Sequence, residues 1–169
     1  MQKETRKIIE SAIQMEEDGI RFYTDAADTV ENPLGQRLFK SLVEDERKHL
    51  LKLRKVFEGL GFSEEPFRKH PNLKSRVRTI FSSVPEEAAE SLDAHASEID
   101  VLRAALRMEE EGIRFYSSRC LPLGGEAGRL AGLIVKEEKI HRDVLQNTLT
   151  YLTDRMTWSV ETENWFFEG

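Results

Sequence analysis

Four stretches of the chain repeat apolar residues at alternating steps of three and four, the spacing that draws one stripe along an α-helix. The first runs from about Lys3 to Val30, with Ile9, Ile13, Glu16, Ile20, Tyr23 and Ala27 on its stripe. The second runs from about Leu34 to Leu60 and carries Leu38, Leu42, Glu46, His49, Leu53, Val56 and Leu60. The third, from about Glu98 to Cys120, carries Leu102, Ala105, Glu109, Gly112 and Tyr116. The fourth, from about Glu126 to Arg155, carries Leu130, Ile134, Glu138, His141, Leu145, Thr148 and Leu152. The pattern predicts an all-α protein.

The connections follow from the punctuation. Asn32-Pro33 ends the first helix and starts the second, with Asn32 as N-cap and Pro33 at the first helical position. Gly59 and Gly61 stop the second helix, and Pro122 to Gly125 form the turn between the third and fourth. Two short turns make two antiparallel helical hairpins. Between them, about 62–97 reads as one long crossover containing Pro66, Pro71 and Pro85, with Leu73–Ser82 and Glu86–Leu92 suited to short helices. The expected organisation is a four-helix bundle over 1–155 and an aromatic tail over 156–169. Trp158, Trp165, Phe166 and Phe167 in that tail are expected to fold over one end of the bundle.

What changes this picture is acid on the stripes. Glu16, Glu46, Glu109 and Glu138 occupy positions that are otherwise apolar, and no Lys or Arg shares those stripes. An unpaired buried carboxylate costs several kcal/mol in order of magnitude, and facing carboxylates repel. A repeat brings them together. MEEDGIRFY runs from Met15 to Tyr23 and MEEEGIRFY from Met108 to Tyr116, and each copy is followed by E-x-x-H, at Glu46/His49 and at Glu138/His141. One E-x-x-H is common on a solvated helix face. Two copies, each preceded by a stripe glutamate, match the di-iron and di-manganese bundle rule. Two divalent cations balance four carboxylates, and oxygen-rich ligation with one histidine per ion suits iron or manganese better than structural zinc. Glu16, Glu46 and His49 are assigned mainly to one ion, and Glu109, Glu138 and His141 to the other. Glu46 and Glu138 are the expected bridges. Tyr23 and Tyr116 lie two turns beyond Glu16 and Glu109, placed to hydrogen-bond a ligand carboxylate across the bundle. Asp45 and Glu137 are placed to support a ligand histidine from behind.

Composition adds exclusions. The chain has 169 residues, 39% hydrophobic and 33% charged, as for a soluble helical protein with one core. A formal charge of -6 and the lack of a lengthwise basic stripe give no reason to expect nucleic-acid binding. The single cysteine, Cys120, excludes an intramolecular disulfide or a Cys-x-x-Cys metal module, and fits a reducing, cytoplasmic setting. The start, MQKETRKIIESAI, lacks the apolar core of a signal peptide, and no run of about 18 apolar residues exists to span a membrane.

The remaining polar residues read as background. Glu17, Asp18, Glu110 and Glu111 fall off the stripes and are expected in solvent, and His70 and His95 at the surface or as caps. Cys120 reads as a small apolar packer. The run Arg68, Lys69, Lys74, Arg76, Arg78 reads as a solvated face, or as a dock for an acidic redox partner. Gly19 and Gly112 sit mid-helix, where glycine costs about 1 kcal/mol against alanine. Gly112 lies one turn past Glu109 on the inner face, where either a close helix approach or room for a small molecule explains it.

On the paired E-x6-Y motifs (Glu16/Tyr23, Glu109/Tyr116) and E-x-x-H motifs, the chain resembles the rubrerythrin/ferritin-like family from about Ile8 to Leu152. The resemblance implies a ferritin-like bundle with one long crossover and a centre of two Fe ions, with Mn as an alternative. It implies reduction of hydrogen peroxide or dioxygen in oxidative-stress defence, and a homodimer. Two departures shape the expectation. No four-cysteine rubredoxin domain is present, so electrons come from a separate donor protein such as a rubredoxin. Gly112 stands where rubrerythrins carry an extra glutamate, which leaves a symmetric six-ligand set resembling bacterioferritin-type centres. Ferroxidase or iron-handling chemistry is therefore a rival, as is a non-catalytic bundle that metal merely stabilises.

Overall fold

A computed structural model describes residues 3–63 and 96–154 of the protein. The interior of the crossover and the two short helices expected there, His70, His95, the basic cluster and the aromatic tail lie outside the described residues. Among those described, every regular element is helical. Helix α1 spans Lys3–Thr29, α2 Pro33–Phe57, α3 Ala96–Phe115 and α4 Gly125–Thr153. Helix α1 packs along α2 and α3 along α4, and α2 also meets α4, whereas α1 and α3 touch only sparsely.

The α1–α2 turn is built as its sequence requires. The Asn32 side chain accepts hydrogen bonds from the amides of Leu34 (2.9 Å) and Gly35 (3.4 Å), and Pro33 opens the helix. Glu98, in the first turn of α3, accepts from the amides of Glu31 (2.6 Å) and Asn32 (2.8 Å). One buried carboxylate thus ties the first hairpin to the start of the second. At the other end of α2, Gly59 (φ 76°) takes the left-handed conformation. Its amide bonds the Val56 carbonyl while that of Leu60 bonds Lys55, a Schellman stop. Gly61 does not adopt that conformation, so Gly59 alone makes the stop. Leu60, expected on the stripe, lies past the helix end and is 55% exposed.

The connection after α3 differs from a plain turn. The chain passes through a π-helical turn, Tyr116–Cys120, and a 3-10 turn, Leu121–Leu123, before α4 begins. Gly128 permits this tight return, because a Cβ there would lie 2.7 Å from the Leu121 carbonyl oxygen. The inward face of α1 keeps Ile9, Glu16, Tyr23 and Ala27 of the expected stripe and adds Ala12, Gly19 and Ala26, while Ile13 and Ile20 are half-buried on its flanks.

The core divides into two apolar plugs with the acids between them. One gathers Tyr23, Leu34, Leu38, Phe39, Leu42, Leu102 and Leu145. The other gathers Ile9, Leu53, Val56, Tyr116, Cys120, Leu130 and Ile134. Replacing Asn32 with alanine removes the cap of α2 and is expected to lower unfolding stability by about 1 kcal/mol, read from denaturant titration. An unchanged midpoint would contradict the capping role.

Candidate metal centre

Each helix delivers its polar residues to the level between the plugs: Glu16 from α1, Glu46 and His49 from α2, Glu109 from α3, Glu138 and His141 from α4. All six are at most 5% exposed. The i, i+3 spacing of each E-x-x-H places both side chains on one helix face. His49 Nδ1 lies 3.0 Å from Glu46, 3.3 Å from Glu138 and 3.5 Å from Glu16. His141 Nδ1 lies 3.2 Å from Glu46, 3.7 Å from Glu109 and 3.8 Å from Glu138. The two rings stack with centroids 5.8 Å apart.

Two four-residue groups result: Glu16, Glu46, His49, Glu138 and Glu46, Glu109, Glu138, His141. Within each, the donor atoms lie within 4.8 Å of one another. Glu46 and Glu138 belong to both. Among the described residues, no lysine or arginine pairs with any of the four glutamates. Lys52, buried on α2, donates instead to the Ser63 carbonyl.

The supporting residues stand behind these groups. The Tyr23 hydroxyl donates to Glu109 Oε1, and the Tyr116 hydroxyl to Glu16 Oε1, so each tyrosine crosses to the opposite hairpin. Asp45 Oδ2 sits 3.5 Å from His141 Nε2, and Glu137 joins them in a third acid–imidazole group. Asp45 also accepts from Lys48 Nζ at 2.7 Å.

Protein partners do not satisfy the cluster. Glu46 Oε1, Glu109 Oε2 and both His141 nitrogens are buried without a hydrogen bond. Such groups are rare in native interiors. Their identity, carboxylate oxygen and imidazole nitrogen, is the donor set of hard-to-borderline divalent cations. The same crowding moves the proton affinities. Burial, then the Glu46 charge, pushes Glu16 up to about 8. Burial, then Glu46 and Glu109, raises Glu138 well above the carboxylate range. Burial acts to raise Glu46 too, but the facing His141 and His49 hold it far below that range. Both histidines are raised: burial opposes their charged form, and the surrounding carboxylates outweigh it. Burial, then the adjacent glutamate, raises both tyrosines, which therefore stay protonated donors.

The family model for rubrerythrin matches residues 7–149, a span holding every one of these residues. The chain belongs to the rubrerythrin family. No curated protein and no solved structure gives a significant match.

In this rubrerythrin-family bundle, a small cavity of about 30 Å³ adjoins the cluster. It is lined in repeat-related pairs: Met15 with Met108, Glu16 with Glu109, Gly19 with Gly112, Tyr23 with Tyr116, Glu46 with Glu138. The glycines are not forced by helix contact. A Cβ at Gly19 would meet Glu46 at 3.8 Å and one at Gly112 would meet Glu138 at 3.7 Å, both ordinary distances. They leave room beside the carboxylates. The methionines are new to the site. They open both copies of the repeat, the one signal in the sequence that marked them. Cys120 packs in the apolar plug, its thiol pushed up to about 12 by burial and then by Glu16.

The raised groups set a pH dependence. Between the ordinary carboxylate value of 4.5 and about 8, the folded metal-free chain holds a proton on Glu16 that the unfolded chain lacks. That stabilisation is complete below about 4.5 and is lost as pH rises through about 8. The raised histidines act in the same sense above their ordinary 6.5. The Tm of metal-free protein is therefore expected to fall from about pH 6 to about pH 8.5 in calorimetry. Added divalent metal competes with these protons and should raise Tm more at the higher pH. A metal-free Tm that climbs over this interval would contradict the assignment.

Proposed function

We propose that this chain is a non-haem di-iron oxidoreductase that reduces hydrogen peroxide or dioxygen in oxidative-stress defence. Glu16, Glu46, His49, Glu109, Glu138 and His141 would hold two iron ions, and a separate protein such as a rubredoxin would return the electrons. Manganese suits the same donors. We take the working form to be a cytoplasmic homodimer, in keeping with the family resemblance and the single cysteine. The observation that carries the reading is the pair of buried donor groups sharing Glu46 and Glu138, with orphaned oxygens and nitrogens at their centre.

When bound, the ions supply two electrons, so that hydrogen peroxide with two protons yields two waters. The chain supplies the setting. Glu46 and Glu138, common to both groups, are the carboxylates able to serve either ion. Tyr23 and Tyr116 fix one oxygen each of Glu109 and Glu16; the second oxygen of Glu109 has no hydrogen bond, and that of Glu16 lies 3.5 Å from His49 Nδ1. Asp45 and Glu137 stand behind His141, where they are placed to orient its ring, and Nδ1 lies 3.2 Å from Glu46. The two apolar plugs keep bulk water from either end of the site.

Gly112 favours a second reading, ferroxidase or iron handling. It lines the cavity where a further carboxylate would otherwise narrow the set to peroxidase-type sites. Light scattering separates the two, since storage needs a multi-subunit shell and a dimer excludes it.

Anaerobic loading with Fe(II), followed by stopped-flow addition of peroxide, tests the proposal. The wild type is expected to take up two irons per chain and to oxidise them faster than free Fe(II). Glu46→Ala and Glu138→Ala are each expected to lose that uptake. Full two-iron loading by either variant overturns the ligand assignment, and loaded wild-type Fe(II) that is inert to peroxide leaves only a structural role for the metal.

A further inference from the structure

The sparse contact between α1 and α3 has a consequence at the surface. An open groove of about 400 Å³ runs there, lined by Ser11, Gln14, Met15, Asp18, Met108 and Glu111. Its four polar residues are exposed and its two methionines half-buried. Met15 and Met108 also line the small cavity at the carboxylate cluster. The same pair of side chains therefore lines both the outer groove and the inner space.

We infer that this groove is the port by which divalent cations reach the cluster, with Met15 and Met108 as its gate. This rests on the di-metal reading above. Three features carry it. The first is the shared wall, which sets the two methionines where the groove and the inner space adjoin. The second is chemistry along the path. Asp18 and Glu111 stand on the rim, and the residues that follow the two methionines are Glu16 and Glu109, the latter with its buried Oε2 unpartnered. A cation thus moves from carboxylate to carboxylate with the attraction rising as water is left behind. The third is the nature of the gate. Methionine is unbranched with three rotatable bonds and a polarizable sulfur, so it can swing aside for an ion and close again without breaking helix packing. Asp18 is held on the rim by Gln14 at 2.9 Å, itself a lining residue, and by Arg21.

Uptake and release of Co(II) by the full chain, followed by its visible absorption and by chelator competition, tests the port without calling on turnover. Met15→Trp with Met108→Trp should slow both uptake and release about tenfold while two ions still bind at equilibrium. Met15→Ala with Met108→Ala should speed both, which keeps the test decisive if the bulky pair does not fold. Asp18→Asn with Glu111→Gln should slow uptake about threefold at low salt and leave release unchanged, the difference vanishing at high salt. Two-ion binding with rates indifferent to all these changes overturns the port and leaves the di-metal reading standing. A wild type that binds no Co(II), Mn(II) or Fe(II) overturns both.

Discussion

Four carboxylates share one dry layer of this bundle, and no lysine or arginine among the described residues reaches them. Two unit charges about 4 Å apart repel by roughly 4 kcal/mol at the effective dielectric of a protein site. Without cations the layer copes by holding protons: Glu16 and Glu138 are raised, Glu46 stays charged, and both histidines lean to the charged form. That arrangement leaves four buried polar atoms without a hydrogen bond. Removing water from charges with incomplete pairing is among the costliest things a fold can do. Bound metal would replace the protons and satisfy the orphaned atoms in one event.

The rest of the structure keeps that layer in place. Apolar plugs above and below fix the helix register, and each plug ends in one tyrosine whose hydroxyl reaches a glutamate of the opposite hairpin. The two hairpins are thus stitched through the site as well as through the core. Glu98 adds a second tie at the far end, from α3 to the α1–α2 turn. The duplication is not perfect. From Tyr116 the chain makes a π turn, whereas α1 stays α-helical past Tyr23. Such turns recur beside functional sites, and here the turn begins at a residue that holds a glutamate.

Much of this was legible in the chain. A glutamate on an apolar stripe is conspicuous because its neighbours three and four away are Leu, Ile or Ala, and the repeat made the four visible as a set. Asn32-Pro33 announced its own turn through the chemistry of capping. Other features were silent for physical reasons. The inward face of α1 includes Ala12, Gly19 and Ala26, which carry less hydrophobic signal than Ile13 and Ile20 on its flanks. Leu60 looked like a stripe residue, but Gly59 ends the helix before it. The π turn leaves no period of its own in five residues. The groove beside Met15 and Met108 arises from the gap between two helices, and no pattern along one helix encodes a gap.

Anomalous diffraction from crystals soaked in Mn(II) or loaded with Fe(II) addresses the central claim most directly. Two peaks per chain are expected, about 3.5–4 Å apart, both between Glu46 and Glu138, one beside His49 and the other beside His141. Peaks elsewhere, or well-ordered crystals with no anomalous signal in the carboxylate layer, would contradict it.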